Sequence, residues 1–234
     1  MLRILRTAIS ILHNNGPSGF ARSVYKFTKN RARRARWRVQ YHPNAVPRED
    51  EILLVDPSAV DHVLWWNDLR QYFGNVPEYG IESGTWDKNA RDFESTYKYQ
   101  SLVEHFVEGR PWEETDYYQR IVDTEKFDYV DDPVNFLSQY DRLFESIQEE
   151  GYQDLHPVVL NVGREGQLIR HNGAHRLTIA RILGIDSVPA RILIRHQRWQ
   201  EIRNRVARTD SIDELPKEVR DDLDHPDLRD VRPT

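Results

Sequence analysis

The stretch from 134 to 194 constrains the fold more than any other part of the chain. From 134 to 150, Phe136, Leu137, Tyr140, Leu143, Phe144 and Ile147 recur at helical spacing and predict an amphipathic helix. Val158-Val159-Leu160-Asn161-Val162 then reads as a strand, Gly163-Arg164-Glu165-Gly166 as a turn, and Gln167-Leu168-Ile169-Arg170 as the paired strand. Gly173 opens a helix that runs to Leu183 and is capped by Gly184, and 188–194 is a further strand. Helix, hairpin, helix and strand in that order predict an α+β domain, a small mixed sheet with flanking helices.

The start of the second helix has the properties of an anion site. Its first amide N–H groups have no intrahelical partner, and the positive end of the helix dipole adds to them. Gly173 places no side chain in the way and tolerates a positive φ. Arg176 offers a planar, bidentate partner for phosphate oxygens, and His175 can donate a hydrogen bond or move a proton. Asn172, Gly173, Ala174, His175 and Arg176 are therefore the candidate phosphate-binding residues. The structural alternative is that Asn172 caps the helix and Arg176 pairs with a nearby carboxylate.

This ordered set resembles the ParB/sulfiredoxin-like superfamily. There a helix ending in "SI…G" leads to a "PI.V" strand, a "DG.HR" box at a helix start, and "LG…VPV" closing the unit. The corresponding residues are Ser146-Ile147 with Gly151, Pro157-Val158-Val159-Leu160, Asn172-Gly173-Ala174-His175-Arg176, and Leu183-Gly184 with Val188-Pro189-Ala190. The match covers about 55 residues, extending to Val55-Asp56-Pro57-Ser58-Ala59-Val60 if that is the superfamily's first strand and turn. Residues 74–133 are then a helical insertion.

The resemblance implies a bound nucleotide (ATP, ADP or CTP), with Mg2+ where catalysis occurs. Its free-serine-kinase branch has the nearest box, which implies an ATP- or ADP-dependent phosphotransferase acting on a small hydroxylated molecule, or a nucleotide hydrolase. Asn172 stands where that box carries an acid, and an amide cannot act as a base. The carboxylate a kinase needs is then expected from the loop Gly80-Ile81-Glu82-Ser83-Gly84-Thr85-Trp86-Asp87. Glu82 and Asp87 are the candidates, with His175 as a third catalytic residue and Trp86 available to stack on a base or sugar. The same residues also read as a polar surface loop. Two alternatives stand beside the enzyme: a nucleotide-gated regulatory or binding protein without turnover, and a ParB-like nucleic-acid-binding protein or nuclease.

The chain has no cysteine, which excludes sulfiredoxin chemistry, disulfides and thiolate metal sites. A reducing cytoplasm is the simplest compartment. About 40 residues follow Ile194, too few for the DNA-binding apparatus of a chromosome-partitioning protein. His171 and His175 are four apart, but His171 precedes the helix, so no metal site is expected. Trp65-Trp66 reads as core or interface. Arg195, His196, Arg198, Arg203, Arg205 and Arg208 read as a basic helix with a solvated face, followed by an acidic tail that frays.

Charge is unevenly placed. Residues 1–40 hold ten Lys or Arg and no acid, while the rest holds 23 basic against 38 acidic residues. Leu2, Ile4, Leu5, Ala8, Ile9 and Leu12 form a helical stripe, and a second helix is predicted from 17 to 38. An apolar stripe among arginines suits an anionic membrane surface ahead of nucleic acid, with packing onto the body as the main competitor. The expected organisation is a basic helical arm at 1–45, the ParB/sulfiredoxin-like domain at 46–196, and a C-terminal helix with its tail at 197–234. The protein is expected in the cytoplasm or peripherally at a membrane; oligomeric state is not legible.

Overall fold

The computed structural model of the protein describes residues 31–74, 79–152 and 156–233, together with 16–18, 20, 21, 24, 25, 28 and 29. The chain divides into two units, residues 1–46 and 47–234. In the first, residues 31–40 are helical, and the Arg33 guanidinium lies 4.9 Å from the centre of the Trp37 ring. The apolar stripe Leu2 to Leu12 lies outside the described residues. Among the described residues no helix is long and apolar enough to cross a membrane.

The second unit is an α+β fold. Seven strands form one mixed sheet: β1 (Leu53–Val55), β2 (His62–Val63), β3 (Gly80–Glu82), β4 (Arg91–Asp92), β5 (Val158–Val162), β6 (Leu168–Asn172) and β7 (Val188–His196). The order is β1-β7-β5-β6-β2-β4, with β3 also on β7. β1 pairs with residues 188–190 of β7 and β3 with 194–196. β5 takes 190–195, so β1 and β3 share the edge of β7 opposite β5. The β5–β6 and β1–β7 pairs are antiparallel; β5–β7, β3–β7 and β2–β6 are parallel.

A register shift opposite Leu160 and Asn161 inserts Leu193 into β7 as a bulge. Side chains alternate faces along a strand, and one extra residue inverts the alternation. Val188, Ala190 and Ile192 thus face the main core, whereas Ile194 faces a smaller core with Leu64, Leu69, Trp86 and Ile169. The same inversion carries Arg195 to the side of Leu228 and Val231, where its partner Asp227 sits.

Among the described residues seven helices flank the sheet: α1 (Trp66–Phe73), α2 (Tyr97–Phe106), α3 (Asp116–Asp123), α4 (Pro133–Glu150), α5 (Ala174–Ile182), α6 (Gln197–Arg208) and the short α7 (Lys217–Asp221). Local chemistry fixes their starts. Asp132 caps α4 by accepting from Asn135 N–H at 3.0 Å, with Pro133 at the first helical position. Thr96 and Thr115 cap α2 and α3 in the same way. α2 and α3, expected within the 74–133 insertion, form with α4 and α5 an aromatic core that includes Leu102, Trp112, Tyr117, Leu137, Tyr140 and Ile179.

Two expectations at the ends of this unit are corrected. The tail after Leu223 does not fray: Pro226–Val231 forms a 3-10 turn whose Asp227, Leu228 and Val231 are buried. Arg195 and His196 belong to β7, not to a basic helix, and Arg195 and Arg203 are buried in an ionic network with Glu51, Asp227 and Asp230. Asp227 accepts from Arg195 and Trp199, which ties the turn that carries buried Leu228 and Val231 to β7 and α6.

Candidate functional site

A cavity of about 340 Å3 opens where β6 runs into α5. That is at the lower end of small-molecule sites, roughly 300–1,000 Å3. Its lining includes all five candidate phosphate-binding residues, Asn172, Gly173, Ala174, His175 and Arg176. Gly173 adopts φ 91°, ψ 30°, and a Cβ there would meet Val158 Cγ1 at 2.9 Å, so the turn from strand to helix requires glycine. Asn172 does not cap α5; its Oδ1 accepts from Gly173 N–H at 2.7 Å, and no side chain caps the first turn. Arg176 pairs with no described carboxylate either. It donates to the His156 carbonyl, which braces the segment before β5.

The rest of the lining comes from residues that sequence reasoning did not assign to the site. Lys98 projects from α2, Lys126 from the turn at Glu125–Phe127, and Arg170 and His171 from β6. Trp65 and Trp66, expected in the core or at an interface, stand at the start of α1, where they line the cavity, and neither is buried. Trp66 is 49% exposed, with its ring 4.5 Å from that of His171. No Asp or Glu is among the described lining residues. Lys98, Lys126 and Arg170 form no ion pair with any described residue.

The electrostatics follow from this crowding. Burial, then the charges of Arg170 and Lys126, lowers the Lys98 ammonium to about 8. Burial lowers Arg170 to about 10. Its guanidinium lies 5.4 Å from the centre of the Phe93 ring, it is only 8% exposed, and its Nε has no partner. Burial and Arg170 lower His171 to about 4. Burial, with Lys98, Arg170 and Arg176, holds His175 well below its ordinary value. Both imidazoles are therefore neutral near pH 7, and His171 Nδ1 and His175 Nε2 are unpartnered. The His175 ring stacks on Tyr140 (3.9 Å between centres) and lies 5.7 Å from Tyr117, and the two tyrosine hydroxyls meet at 3.2 Å. A packed imidazole of that kind is a fixed hydrogen-bonding group in the wall of the cavity.

The expected catalytic carboxylates are elsewhere. Asp87 is buried against the β5–β6 turn, where it accepts from Arg164 N–H (2.9 Å), Nε (2.8 Å) and Nη2 (2.6 Å). Burial pushes this carboxyl up, and the Arg164 hydrogen bonds and charge more than reverse that, leaving it below its usual range. The turn and the cavity lie at opposite ends of β6, whose five residues span about 16 Å at ~3.3 Å per residue. Glu82 closes β3 opposite His196, and neither carboxylate lines the cavity. Trp86, expected to stack on a ligand, is buried in the smaller core. The loop from 80 to 87 is thus a structural strap, and of the three expected catalytic residues only His175 is at the site.

One sequence signal for the missed cations was available: Arg170 lies two residues before the box on the same strand. Lys98 and Lys126 lie in the insertion, and nothing local ties them to α5. Among the described residues no cluster of three or more His, Asp or Glu can hold a metal ion. Comparison of the chain with family models, with curated proteins and with solved structures finds no match to any of them.

Proposed function

We propose that the protein binds a nucleotide at the β6–α5 cavity and acts as a binding or regulatory protein. The observation that carries this reading is the lining itself, with four cationic side chains and no described carboxylate in a chain of net charge −5. Cations gathered in a partly buried space, with burial and its neighbours lowering the Lys98 pKa, are the kind of arrangement that an anion offsets. The open amides at the start of α5, Arg170, Arg176, Lys98 and Lys126 supply contacts for phosphate oxygens. Trp66, half-exposed at the rim beside His171, supplies a face on which a base can stack. The ParB/sulfiredoxin-like resemblance implies the same site, which supports that assignment of the core.

The phosphotransferase reading is the weaker one, because phosphoryl transfer calls for a carboxylate near the acceptor hydroxyl, and Glu82 and Asp87 lie away from the cavity. A thermal-shift series with ATP, ADP, CTP and GTP tests the proposal, repeated on Arg176→Ala and His175→Ala. At least one nucleotide should raise the melting temperature of the intact protein, and the variants should reduce the rise. No shift with any of the four would overturn the proposal.

A further inference from the structure

We infer that the cavity takes its anion free of divalent metal, as an uncomplexed polyanion of the di- or triphosphate kind. This rests on the nucleotide reading for the ligand's identity, but its argument concerns the charge of the ligand alone. Magnesium is held in phosphate sites by one or two protein carboxylates together with phosphate oxygens and water. The described lining offers no carboxylate, and its side-chain amide, Asn172, already accepts from Gly173 N–H. A metal seated on the phosphates would also face Lys98, Lys126, Arg170 and Arg176. Its double charge would repel these four cations in a partly dehydrated space, where Coulomb interactions are stronger than in water.

The side chains can replace what a metal does. Two guanidinium groups give planar, forked donors and two ammonium groups give compact charges. Together they match a ligand of three to four negative charges. The neutral His171 and His175 add hydrogen-bonding nitrogens without adding charge, and each has a ring nitrogen with no partner. Arg170 carries a further unpartnered donor, its Nε, although the residue is only 8% exposed. A buried donor left unmet is costly, and an anion's oxygens satisfy it where a hydrated metal cation cannot.

Titration calorimetry on the full chain, with ATP, ADP and inorganic pyrophosphate, each in EDTA and in saturating magnesium, tests the inference. Tighter binding in EDTA by tenfold or more is the expected result. If nucleotides bind only with magnesium, or more tightly with it, the inference fails and the nucleotide reading stands. If pyrophosphate alone binds, and magnesium weakens it, the inference stands and the nucleotide reading fails. Heat from none of the ligands overturns both. The variant Lys126→Glu places a carboxylate at an exposed lining position. It should weaken metal-free binding at least tenfold and shrink or invert the magnesium effect; an unchanged magnesium effect counts against the inference.

Discussion

Arg195 and Asp227 form a doubly hydrogen-bonded ion pair in the interior, with Arg195 Nη2 2.6 Å from Oδ1 and Nε 2.9 Å from Oδ2. Trp199 Nε1 donates to the same carboxylate at 2.9 Å, and Glu51 takes the other side of the guanidinium at 3.0 Å. Three distant parts of the chain thus converge on one charge pair. Removing one partner of a buried pair strands the other, at a cost of roughly 3–5 kcal/mol. Asp227→Asn should therefore lower stability toward the lower end of that range, since Glu51 still holds Arg195; urea unfolding measures it. Burial raises the Asp227 carboxyl and the Arg195 charge more than reverses this, so its pKa lies below the unfolded value of about 3.9. Its contribution is complete above that pH and is lost as pH falls through the folded pKa.

The Lys98 pKa is lowered as well, but there the charged form is the one disfavoured. Its folded pKa, about 8, is below the unfolded value of ~10.4, so the fold binds fewer protons between the two. The protonated form is the destabilising one, and stability from this group rises with pH from about 8 to about 10.4. Lys98→Met should raise the unliganded protein's stability at pH 7 by about 1–3 kcal/mol, given ~1.4 kcal/mol per pKa unit. The gain should shrink as pH rises, and the variant should bind nucleotide at least tenfold more weakly. Paired denaturation curves across pH check the first two statements, and calorimetry the third.

Ligand affinity should carry the same titration. An anion beside Lys98 favours its ammonium and raises the pKa in the complex. Affinity should be level below about pH 8 and fall above it, approaching tenfold per pH unit, the limit for one linked proton. The Lys98→Met variant should lose this slope. Calorimetry in buffers of different ionisation heat would also register the proton taken up.

Gly173→Ala tests the turn from β6 into α5. The residue holds φ 91°, and a new Cβ would strike Val158 and press on Arg176 Nη2 at 3.4 Å. The substitution should cost about 1–3 kcal/mol and weaken nucleotide binding at least tenfold by displacing the α5 amides. Equal affinity in a folded G173A protein would show that those amides do not touch the ligand.

Asp87→Asn and Glu82→Gln separate the strap from the cavity. Asp87→Asn should lower stability by roughly 1–3 kcal/mol, because Arg164 loses its charged acceptor. Neither substitution should change nucleotide affinity by more than about twofold. A tenfold loss from either would place these carboxylates at the ligand after all.

The hairpin, α4, α5 and β7 were legible because each has its period and its terminating signal within a few residues. The Asn172-to-Arg176 turn was legible for the same reason. β2 and β3 were not: His62–Val63 and Gly80–Glu82 are two and three residues long, and strands this short are set by the neighbour they pair with rather than by their own pattern. The cationic lining was half legible. Arg170 and Arg176 flank the box, but Lys98 and Lys126 reach it only because α2 and the turn at Glu125–Phe127 pack near α5. Trp65-Trp66 and Trp86 exchanged roles for a related reason. Burial of a tryptophan depends on which face of a short element the tertiary fold covers, and 74–89 has no sustained period from which to read it.

The edge that β1 and β3 share along β7 also sets a schedule. Leu53 finds Ala190 across 137 positions of chain, and Ile81 finds Arg195 across 114. Pairings this remote are slow to close. During synthesis both strands leave the ribosome well before the strand that completes them exists. A stalled chain that stops short of residue 188 holds two orphaned strands and lacks the Arg195 that Glu51 pairs with, so it stays open to quality-control proteases until β7 emerges.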